Sequence, residues 1–382
     1  MRHKSRSNNL VEALDLVGKR IEDLLPAYPG HDVASVEDLL GDCALALSRP
    51  VMPYGLLGIH PCRSRHFNVH DAGFRFAAAE QVWPPETRTV FTFGGSTMVG
   101  FNVEDGQTIP AALRRRLQTV CPGCEVYNFA SGSYTSRNEL VRFLDLIDRG
   151  IRPDVAVFLD GYNDSFYAFG NDRLRQLLDE LYQAERRRRQ MGWLASVFDF
   201  ARHSWAARSA TVPSSHHYRP GDLDVFDRLT SPEANRRALG LSGVDPRPEP
   251  FGADGEMVAR LVWTRYLESI QTTDALARQA GIRAVFCWQP QPYFATRPAQ
   301  RIIEPMYDLF PAGTLAAPVY HWLKASGFPG LPPGLVFHDL SSAAVGLDAV
   351  CYLDVCHYTA ALSDRIAELL VEPVLAALAD PS

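Results

Sequence analysis

The stretch Thr89-Val-Phe-Thr-Phe-Gly-Gly-Ser-Thr-Met98 decides the fold of this chain. It opens with apolar and β-branched residues in an unbroken run, a pattern typical of a strand that is buried on both faces. Gly94 and Gly95 predict that the strand ends in a sharp turn with close backbone approach, because neither residue has a Cβ. Ser96 is therefore expected just past the carboxyl end of a buried strand, where open parallel sheets bind their ligands.

A second stretch, Tyr352-Leu-Asp-Val-Cys-His-Tyr-Thr359, supplies a candidate base. Asp354 and His357 are three residues apart, directly before a helical pattern at 359–378. This spacing would let the carboxylate hold one ring nitrogen of the imidazole while the other nitrogen faces the serine. Ser96 then becomes a candidate nucleophile. A serine that caps a turn or a helix is the alternative interpretation.

Four sequence blocks follow one another in a characteristic order. They are Gly94-Gly95-Ser96-Thr97, Asn128-Phe-Ala-Ser-Gly-Ser-Tyr-Thr-Ser136, Gly161-Tyr-Asn163-Asp164 and Asp354-Val-Cys-His357. On these blocks the chain resembles the SGNH (GDSL-type) hydrolase superfamily, in the bacterial variant whose first block reads Gly-Gly-Ser-Thr. The resemblance implies a catalytic triad in which Ser96 attacks an acyl carbonyl, His357 moves the proton and Asp354 orients the imidazole.

The same resemblance implies an oxyanion hole. The backbone N–H of Ser96 is a donor by geometry, and the side-chain amide of Asn163 is a second donor by resemblance. An Asx-turn is the alternative role for Asn163. A third donor is expected from the backbone of Gly132 or Ser133. The usual glycine position, counted from Asn128, falls on Ser133, with Gly132 one residue early, so either amide can be the donor.

Two other kinds of site are not indicated. Met98 stands where a Gly-x-Ser-x-Gly elbow has its second glycine, which argues against an α/β-hydrolase. No Gly-x-Gly-x-x-Gly is present, and no helix is expected to begin at Gly94 and Gly95, which argues against a dinucleotide fingerprint.

Strands and helices alternate along the core. Strands are predicted at 89–95, 125–130, 154–159, 282–288 and 334–340. Helices are predicted at about 108–117, 136–149, 255–280 and 359–378, with a short one near 318–325. Alternation with short loops indicates right-handed βαβ units and a parallel sheet. The resemblance implies a flavodoxin-like order of about five strands. The predicted fold class is therefore α/β, in three layers with helices on both faces of the sheet.

Three parts of the chain are distinguished. Residues 1–84 form an extension with helices at about 8–25 and 36–47, and for its later part, 66–75, packing is the only predicted role. Residues 85–165 and 255–382 form the hydrolase core. Residues 166–254 are predicted to be a helical insertion that covers the site as a lid.

The substrate is expected to contact aromatic and polar side chains near the ends of the strands. Thr97, Tyr162 and Phe166 are predicted to line one wall, and Trp288 and Gln289 the opposite wall. Core packing is the alternative role for each of them.

Composition indicates a globular protein that does not bind nucleic acid. The 382 residues are 46% apolar and 21% charged, and 38 basic against 44 acidic residues give a net charge of -6. The basic run at 186–189 lies in a helical pattern and is interpreted as a solvated helix face. No apolar segment follows the basic start, so we expect no signal peptide, no membrane span and a cytoplasmic location.

The seven cysteines are expected to be reduced thiols. Cys121-Pro-Gly-Cys124 is interpreted as a turn, and no metal or other cofactor is predicted. Cys356 is expected to pack behind the loop, away from His357, because adjacent side chains diverge.

The predicted function is hydrolysis of a small or medium acyl ester through an acyl-enzyme, with a small-molecule ester as the only predicted partner. An O-acyltransferase with the same triad is one alternative. A catalytically silent binding module with this fold is another. The sequence does not indicate an oligomeric state.

Overall fold

The computed structural model describes residues 8–47, 50, 52, 54, 56–79, 81–85, 88–168, 254–303 and 312–379. The chain divides into two compact units, one formed by Met1–Phe169 with Asp245–Ser382 and the other by Gly170–Val244. The second unit lies outside the described residues, and so do the basic run and nearly all of the predicted insertion and lid.

A parallel sheet of five strands forms the centre of the first unit, in the order β2-β1-β3-β4-β5. The strands are β1 (Thr89–Gly94), β2 (Glu125–Asn128), β3 (Val155–Asp160), β4 (Arg283–Trp288) and β5 (Phe337–Asp339). The chain runs from β1 outward to β2 and then returns to the other side of β1, so the strand order reverses between β1 and β3. This confirms the flavodoxin-like order, and it opens a crevice at the carboxyl ends of β1 and β3.

Helices cover both faces of the sheet. They are α1 (Asn9–Leu16), α2 (Val33–Cys43), α3 (Ser96–Val99), α4 (Ile109–Val120), α5 (Ser136–Asp148), α6 (Tyr162–Ala168), α7 (Asp254–Gln279), α8 (Ala312–Ser326) and α9 (Ala360–Ala379). Because side chains alternate along a strand, each face has its own composition. Valines of β1, β3 and β4 pack against α4 and α9. Phenylalanines of the same strands pack against α5, α7 and α8.

The aromatic face is continuous across the three central strands. The ring of Phe158 on β3 stacks on Phe93 of β1, with centroids 4.9 Å apart, and on Phe286 of β4 at 5.2 Å. Trp288 continues this row at the end of β4 and is fully buried. Its indole therefore belongs to the core on this face of the sheet.

Three predicted helix boundaries are wrong. One is the start of α8, which begins at Ala312, six residues before the predicted 318. The first helix ends at Leu16, well before residue 25, because Gly18 takes a φ of 66° and the N–H of Lys19 bonds back to the carbonyl of Leu14 at 2.9 Å. A helix does begin at the glycines: in α3 the N–H groups of Met98 and Val99 donate to the carbonyl of Gly95 at 3.1 and 3.0 Å.

None of the helices in the described ranges combines the length and the apolar character that a bilayer crossing requires.

Arg75 joins the amino-terminal extension to the loop that follows α3. Its side chain is fully buried and donates to the carbonyls of Val99 at 3.0 Å and Val103 at 2.7 Å. Its Nε donates to Asp105 Oδ1 at 2.8 Å. The guanidinium thus donates to the carbonyl of Val103 and shares the carbonyl of Val99 with the side chain of Asn128. The role of residues 66–75 therefore goes beyond the packing that their pattern predicts.

Removal of this guanidinium is expected to destabilise the fold strongly. Arg75→Ala removes a charged donor from two buried carbonyls and leaves Asp105 with the hydrogen bonds that it accepts from Asn68. It should lower the free energy of unfolding by about 3–5 kcal/mol. Arg116→Ala is the matched control, because Arg116 pairs with Asp364 on the surface and should cost less than about 1 kcal/mol. Urea unfolding measures both. Equal losses in the two variants would show that Arg75 does not hold this loop.

Candidate active site

A chain of hydrogen bonds joins three predicted site residues at the carboxyl edge of the sheet. His357 Nε2 lies 2.8 Å from Ser96 Oγ, although the two residues are 261 positions apart. His357 Nδ1 lies 2.6 Å from Asp354 Oδ2. Ser96 and His357 are partly exposed, while Asp354 is 9% exposed. The order nucleophile, base and orienting carboxylate is that of a catalytic triad.

The turn at 354–357 is built around the carboxylate of Asp354. Its second oxygen, Oδ1, accepts the N–H groups of Cys356 at 2.9 Å and His357 at 2.8 Å. Burial opposes ionisation, but the charge of His357 and these hydrogen bonds hold the pKa of Asp354 below its ordinary value. The carboxylate therefore stays ionised and fixes both the backbone and the ring of His357.

Cys356 does not lie where the sequence pattern predicts. Its sulfur is 3.5 Å from Nδ1 and 3.7 Å from Nε2 of His357, so the thiol contacts the imidazole directly. The two hydrogen bonds to Asp354 Oδ1 curl the backbone tightly, which brings neighbouring side chains together. The other side of Cys356 packs in a small cluster with Tyr162 and Ala316.

Both glycines before Ser96 are required by close approach. A Cβ on Gly94 would lie 2.5 Å from the Cβ of Met98, and a Cβ on Gly95 would overlap the side-chain nitrogen of Asn163. Gly95 has a φ of −77°, which any residue adopts. The reason for glycine at this position is therefore space for the Asn163 amide beside the backbone of Ser96.

Asn163 approaches Ser96 from the neighbouring strand. It lies in α6, directly after β3 and Gly161, and its Nδ2 donates to the carbonyl of Tyr134 at 2.7 Å. Tyr134 closes a turn in which its N–H bonds to the carbonyl of Ser131 at 3.3 Å. Inside this turn Ser133 has a φ of 61°, the left-handed conformation that favours glycine. The usual glycine position of the block thus keeps a glycine-like backbone although a serine occupies it.

Asn128 holds α3 in place from the side of β2. Its side chain is 1% exposed, and Nδ2 donates to the carbonyls of Met98 at 3.0 Å and Val99 at 3.3 Å. Its Oδ1 accepts the N–H of Ala130 at 3.2 Å. The first residue of the second block is therefore a positioning residue for the helix that carries Ser96.

The residues predicted to line the site divide into those that lie next to site residues and those that lie in the core. Tyr162 and Phe166 lie together on α6, beside Cys356, with ring centroids 6.2 Å apart. Thr97 directly follows Ser96 and is 5% exposed. Trp288 does not reach the site, because Tyr266 and Tyr320 cover it at 5.0 and 5.3 Å between centroids.

Gln289 is likewise buried at 3% exposure and donates to the hydroxyl of Tyr358 at 3.0 Å. The predicted opposite wall is therefore not formed by Trp288 and Gln289. Phe101, which the sequence pattern did not single out, lies against the imidazole instead, with its centroid 5.3 Å from that of His357.

Three carboxyls lie behind Asn163: Glu139 and Asp160 are buried, and Asp164 is partly buried. Glu139 and Asp160 were missed by the sequence interpretation. Asp164 accepts the hydroxyl of Ser136 at 2.6 Å. The oxygens of Glu139 and Asp160 meet no donor elsewhere among the described residues, so the two side chains satisfy each other only when one carries a proton. Burial raises the pKa of all three, and the charge of Asp160 raises that of Glu139 further. The sequence signal for such a pair is an acidic residue at the end of an otherwise apolar strand, such as Asp160 at the end of β3.

This pair makes stability depend on pH. A carboxyl with a folded-state pKa above its unfolded value stabilises the fold fully below the unfolded pKa, about 4.3 for Glu. This contribution to the free energy of unfolding is lost as the pH rises from the unfolded pKa toward the folded pKa. The loss is about 1.4 kcal/mol for each pH unit and each such carboxyl. Glu139→Gln keeps the shape and removes one titration, so its unfolding free energy should fall less between pH 5 and pH 8 than that of the wild type. Urea unfolding at both pH values measures this, with exposed Glu368→Gln as control. Identical pH slopes in wild type and Glu139→Gln would exclude a neutral Glu139.

The chain is similar to solved structures of lipolytic proteins and esterases. A member of the lipolytic protein G-D-S-L family from Veillonella parvula is 10% identical, with 75% of this chain and 97% of that one covered and a TM-score of 0.37. The acetyl xylan esterase AlAXEase is 12% identical over 75% and 99%, with a TM-score of 0.35. The psychrotrophic esterase EstA from a Pseudoalteromonas species is 8% identical over 76% and 100%, also at 0.35.

No protein-family model and no curated protein sequence matches the chain. The function proposed below rests on the atoms of the site itself.

Proposed function

We propose that this chain is a serine ester hydrolase of the SGNH type, which cleaves small or medium acyl esters through an acyl-enzyme. The observation that carries the proposal is the unbroken hydrogen-bond chain from Asp354 through His357 to Ser96. A serine is a weak nucleophile unless a base is within hydrogen-bond reach and is itself oriented by a third group. Both conditions are met at a partly exposed edge of the sheet.

The reaction follows from the geometry. Ser96 Oγ attacks the ester carbonyl carbon while His357 Nε2 takes its proton, and a C–O bond forms. The tetrahedral intermediate collapses, the bond to the alcohol breaks, and the alcohol leaves with the proton from His357. Water then attacks the acyl-enzyme while His357 takes its proton. The second tetrahedral intermediate collapses, the bond between the acyl carbon and Ser96 Oγ breaks, Ser96 regains a proton from His357, and the acid is released. Asp354 stays ionised throughout and stabilises the imidazolium.

The oxyanion is stabilised by donors that are in position before the reaction. Ser96 is the first residue of α3, and N–H groups in the first turn of a helix have no acceptor within it. The amide of Asn163 has two hydrogens; one bonds to Tyr134 and the other serves the oxyanion. The N–H of Ser133 is assigned as the third donor, with Gly132 as the alternative. Tyr162, Phe166 and Phe101 form the apolar surfaces that receive the acyl group.

Substitution of the triad is expected to give graded losses. Ser96→Ala and His357→Ala should each lower kcat by about 10³–10⁶-fold, because nucleophile and base act as a unit. Asp354→Asn should cost about 10²–10⁴-fold, since this residue does not touch substrate. Hydrolysis of p-nitrophenyl acetate gives the rates, and a fluorophosphonate probe should label the wild type at Ser96 only. Far-UV circular dichroism checks that each variant is folded. Full esterase activity of folded Ser96→Ala would refute the proposal, and near-complete transfer to an added alcohol would indicate an acyltransferase.

The effects of substitutions at Gly95 and Asn163 on kcat should depend on one another. Asn163→Ala removes one oxyanion donor and should cost about 10²–10³-fold in kcat. Gly95→Ala pushes the same amide out of position and should cost a comparable factor. In the double variant the methyl group introduced by Gly95→Ala has no amide to displace, so the two losses should not multiply. Multiplicative losses in this double-mutant cycle would mean that Gly95 serves the backbone turn rather than the amide.

A further inference from the structure

We propose that Cys356 is a positioning residue for His357, whose ring it holds in the orientation that reaches Ser96. Cys356 Sγ lies 3.5 Å from Nδ1 and 3.7 Å from Nε2 of His357. A sulfur atom in the plane of the ring at these two distances would overlap a ring carbon, so Sγ lies over the face of the ring. This role rests on the proposed hydrolase function, in which His357 is the base.

The hydrogen bonds of the imidazole fix its tilt only weakly. The χ2 torsion of a histidine is broad, so the contacts of the ring set its orientation. His357 Nδ1 donates to Asp354 at 2.6 Å, and Nε2 accepts from Ser96 at 2.8 Å. Hydrogen bonds weaken steeply only when the angle at the hydrogen falls below about 120°, so both bonds tolerate a tilted ring. A sulfur atom over the face, at similar distances from the two nitrogens, opposes that tilt.

Cys356 is itself held in place on its other sides. Its backbone N–H donates to Asp354 Oδ1 at 2.9 Å. Its side chain packs with Tyr162 of α6 and Ala316 of α8. The sulfur thus lies between these side chains and the imidazole. It cannot withdraw from the ring unless one of the two helices moves, because packed interiors have little free space.

The thiol can lie beside the base because it stays neutral. Burial, the charge of Asp354 and a hydrogen bond with its carboxylate raise the pKa of Cys356 well above its ordinary value. A thiolate beside a histidine forms an ion pair with the imidazolium, and an imidazolium cannot accept the proton of Ser96. The neutral thiol therefore orients the ring and leaves Nε2 available as the base.

The order of the ring is tested first, without reference to activity. An Nδ1–H that donates to a carboxylate in a short hydrogen bond gives a low-field proton resonance, and His357→Ala identifies it by its loss. In the full-length chain, Cys356→Ala should broaden or remove this resonance, because the ring tilts and the proton exchanges with water. Val355→Ala is the matched control, since Val355 lies in the same turn but packs against the core on the valine face of the sheet, and it should keep the resonance.

Three results of this measurement would overturn the role of Cys356. They are an unchanged resonance in Cys356→Ala, loss of the resonance in Val355→Ala, and absence of the resonance from the wild type, which would mean that the ring is not held.

The effect on the base is tested by the rate at which a fluorophosphonate probe labels Ser96. Cys356→Ala should slow labelling by about 10–100-fold, because a displacement of about 1 Å costs up to this factor. The loss should be smaller than that of His357→Ala, since Phe101 also contacts the ring, with centroids 5.3 Å apart. Cys356→Ser keeps an atom over the face and should recover most of the rate. Labelling of Cys356→Ala at the wild-type rate, or equal losses in the alanine and serine variants, would refute the role.

A double-mutant cycle tests whether Cys356 acts through the imidazole. In a His357→Ala background there is no ring to position, so Cys356→Ala should change the residual hydrolysis of p-nitrophenyl acetate by less than about twofold. A further loss of about 10-fold or more would mean that Cys356 acts on the surface formed by Tyr162 instead.

The two proposals fail in different ways. If the wild type is not labelled, the hydrolase proposal fails, while the low-field resonance still decides whether Cys356 orders the ring. If the wild type is labelled and Cys356→Ala changes neither the resonance nor the labelling rate, the positioning role is refuted and the hydrolase stands.

Discussion

The close approach at Gly94 and Gly95 is the constraint on which the site depends. The backbone between β1 and α3 passes so near to Met98 and Asn163 that no side chain fits at either glycine. This contact connects the two strands at which the sheet order reverses, because Ser96 follows β1 and Asn163 follows β3. The proposed nucleophile and the proposed amide donor thus converge at the crevice that a doubly wound sheet provides.

The helix that carries Ser96 is too short to be stable alone, so its surroundings hold it. Four residues form α3, and a helix of this length has no stability of its own in water. Asn128 binds its carbonyls from β2, and Arg75 binds them from the amino-terminal extension; the carbonyl of Val99 accepts from both. The extension therefore belongs to the architecture of the site although it supplies none of the proposed catalytic groups.

The sequence predicts those features that depend on local pattern. Unbroken apolar runs predicted the positions of β1 and β3. The four sequence blocks predicted Ser96, Asn163, Asp354 and His357 as site residues. Features set by tertiary contacts were missed. α3 exists because of Asn128 and Arg75, Trp288 is buried because it continues the row of aromatic rings on one face, and Cys356 reaches the imidazole because a carboxylate curls its turn. Strand periodicity is the signal that would have corrected the interpretation of Trp288. The isolated acid at Asp160 would have pointed to the buried pair with Glu139.

The two hydrogen bonds of the proposed triad join residues at very different separations along the chain. Asp354 and His357 are three residues apart, whereas His357 and Ser96 are 261 apart. Loop-closure entropy grows with separation, so the acid–base contact costs little to form, whereas the base–nucleophile contact requires assembly of the whole sheet. Under the proposed mechanism, Ser96 therefore gains its base only in the assembled sheet. A chain whose Asp354–His357 turn has not yet reached the carboxyl edge of the sheet would hold an unactivated serine.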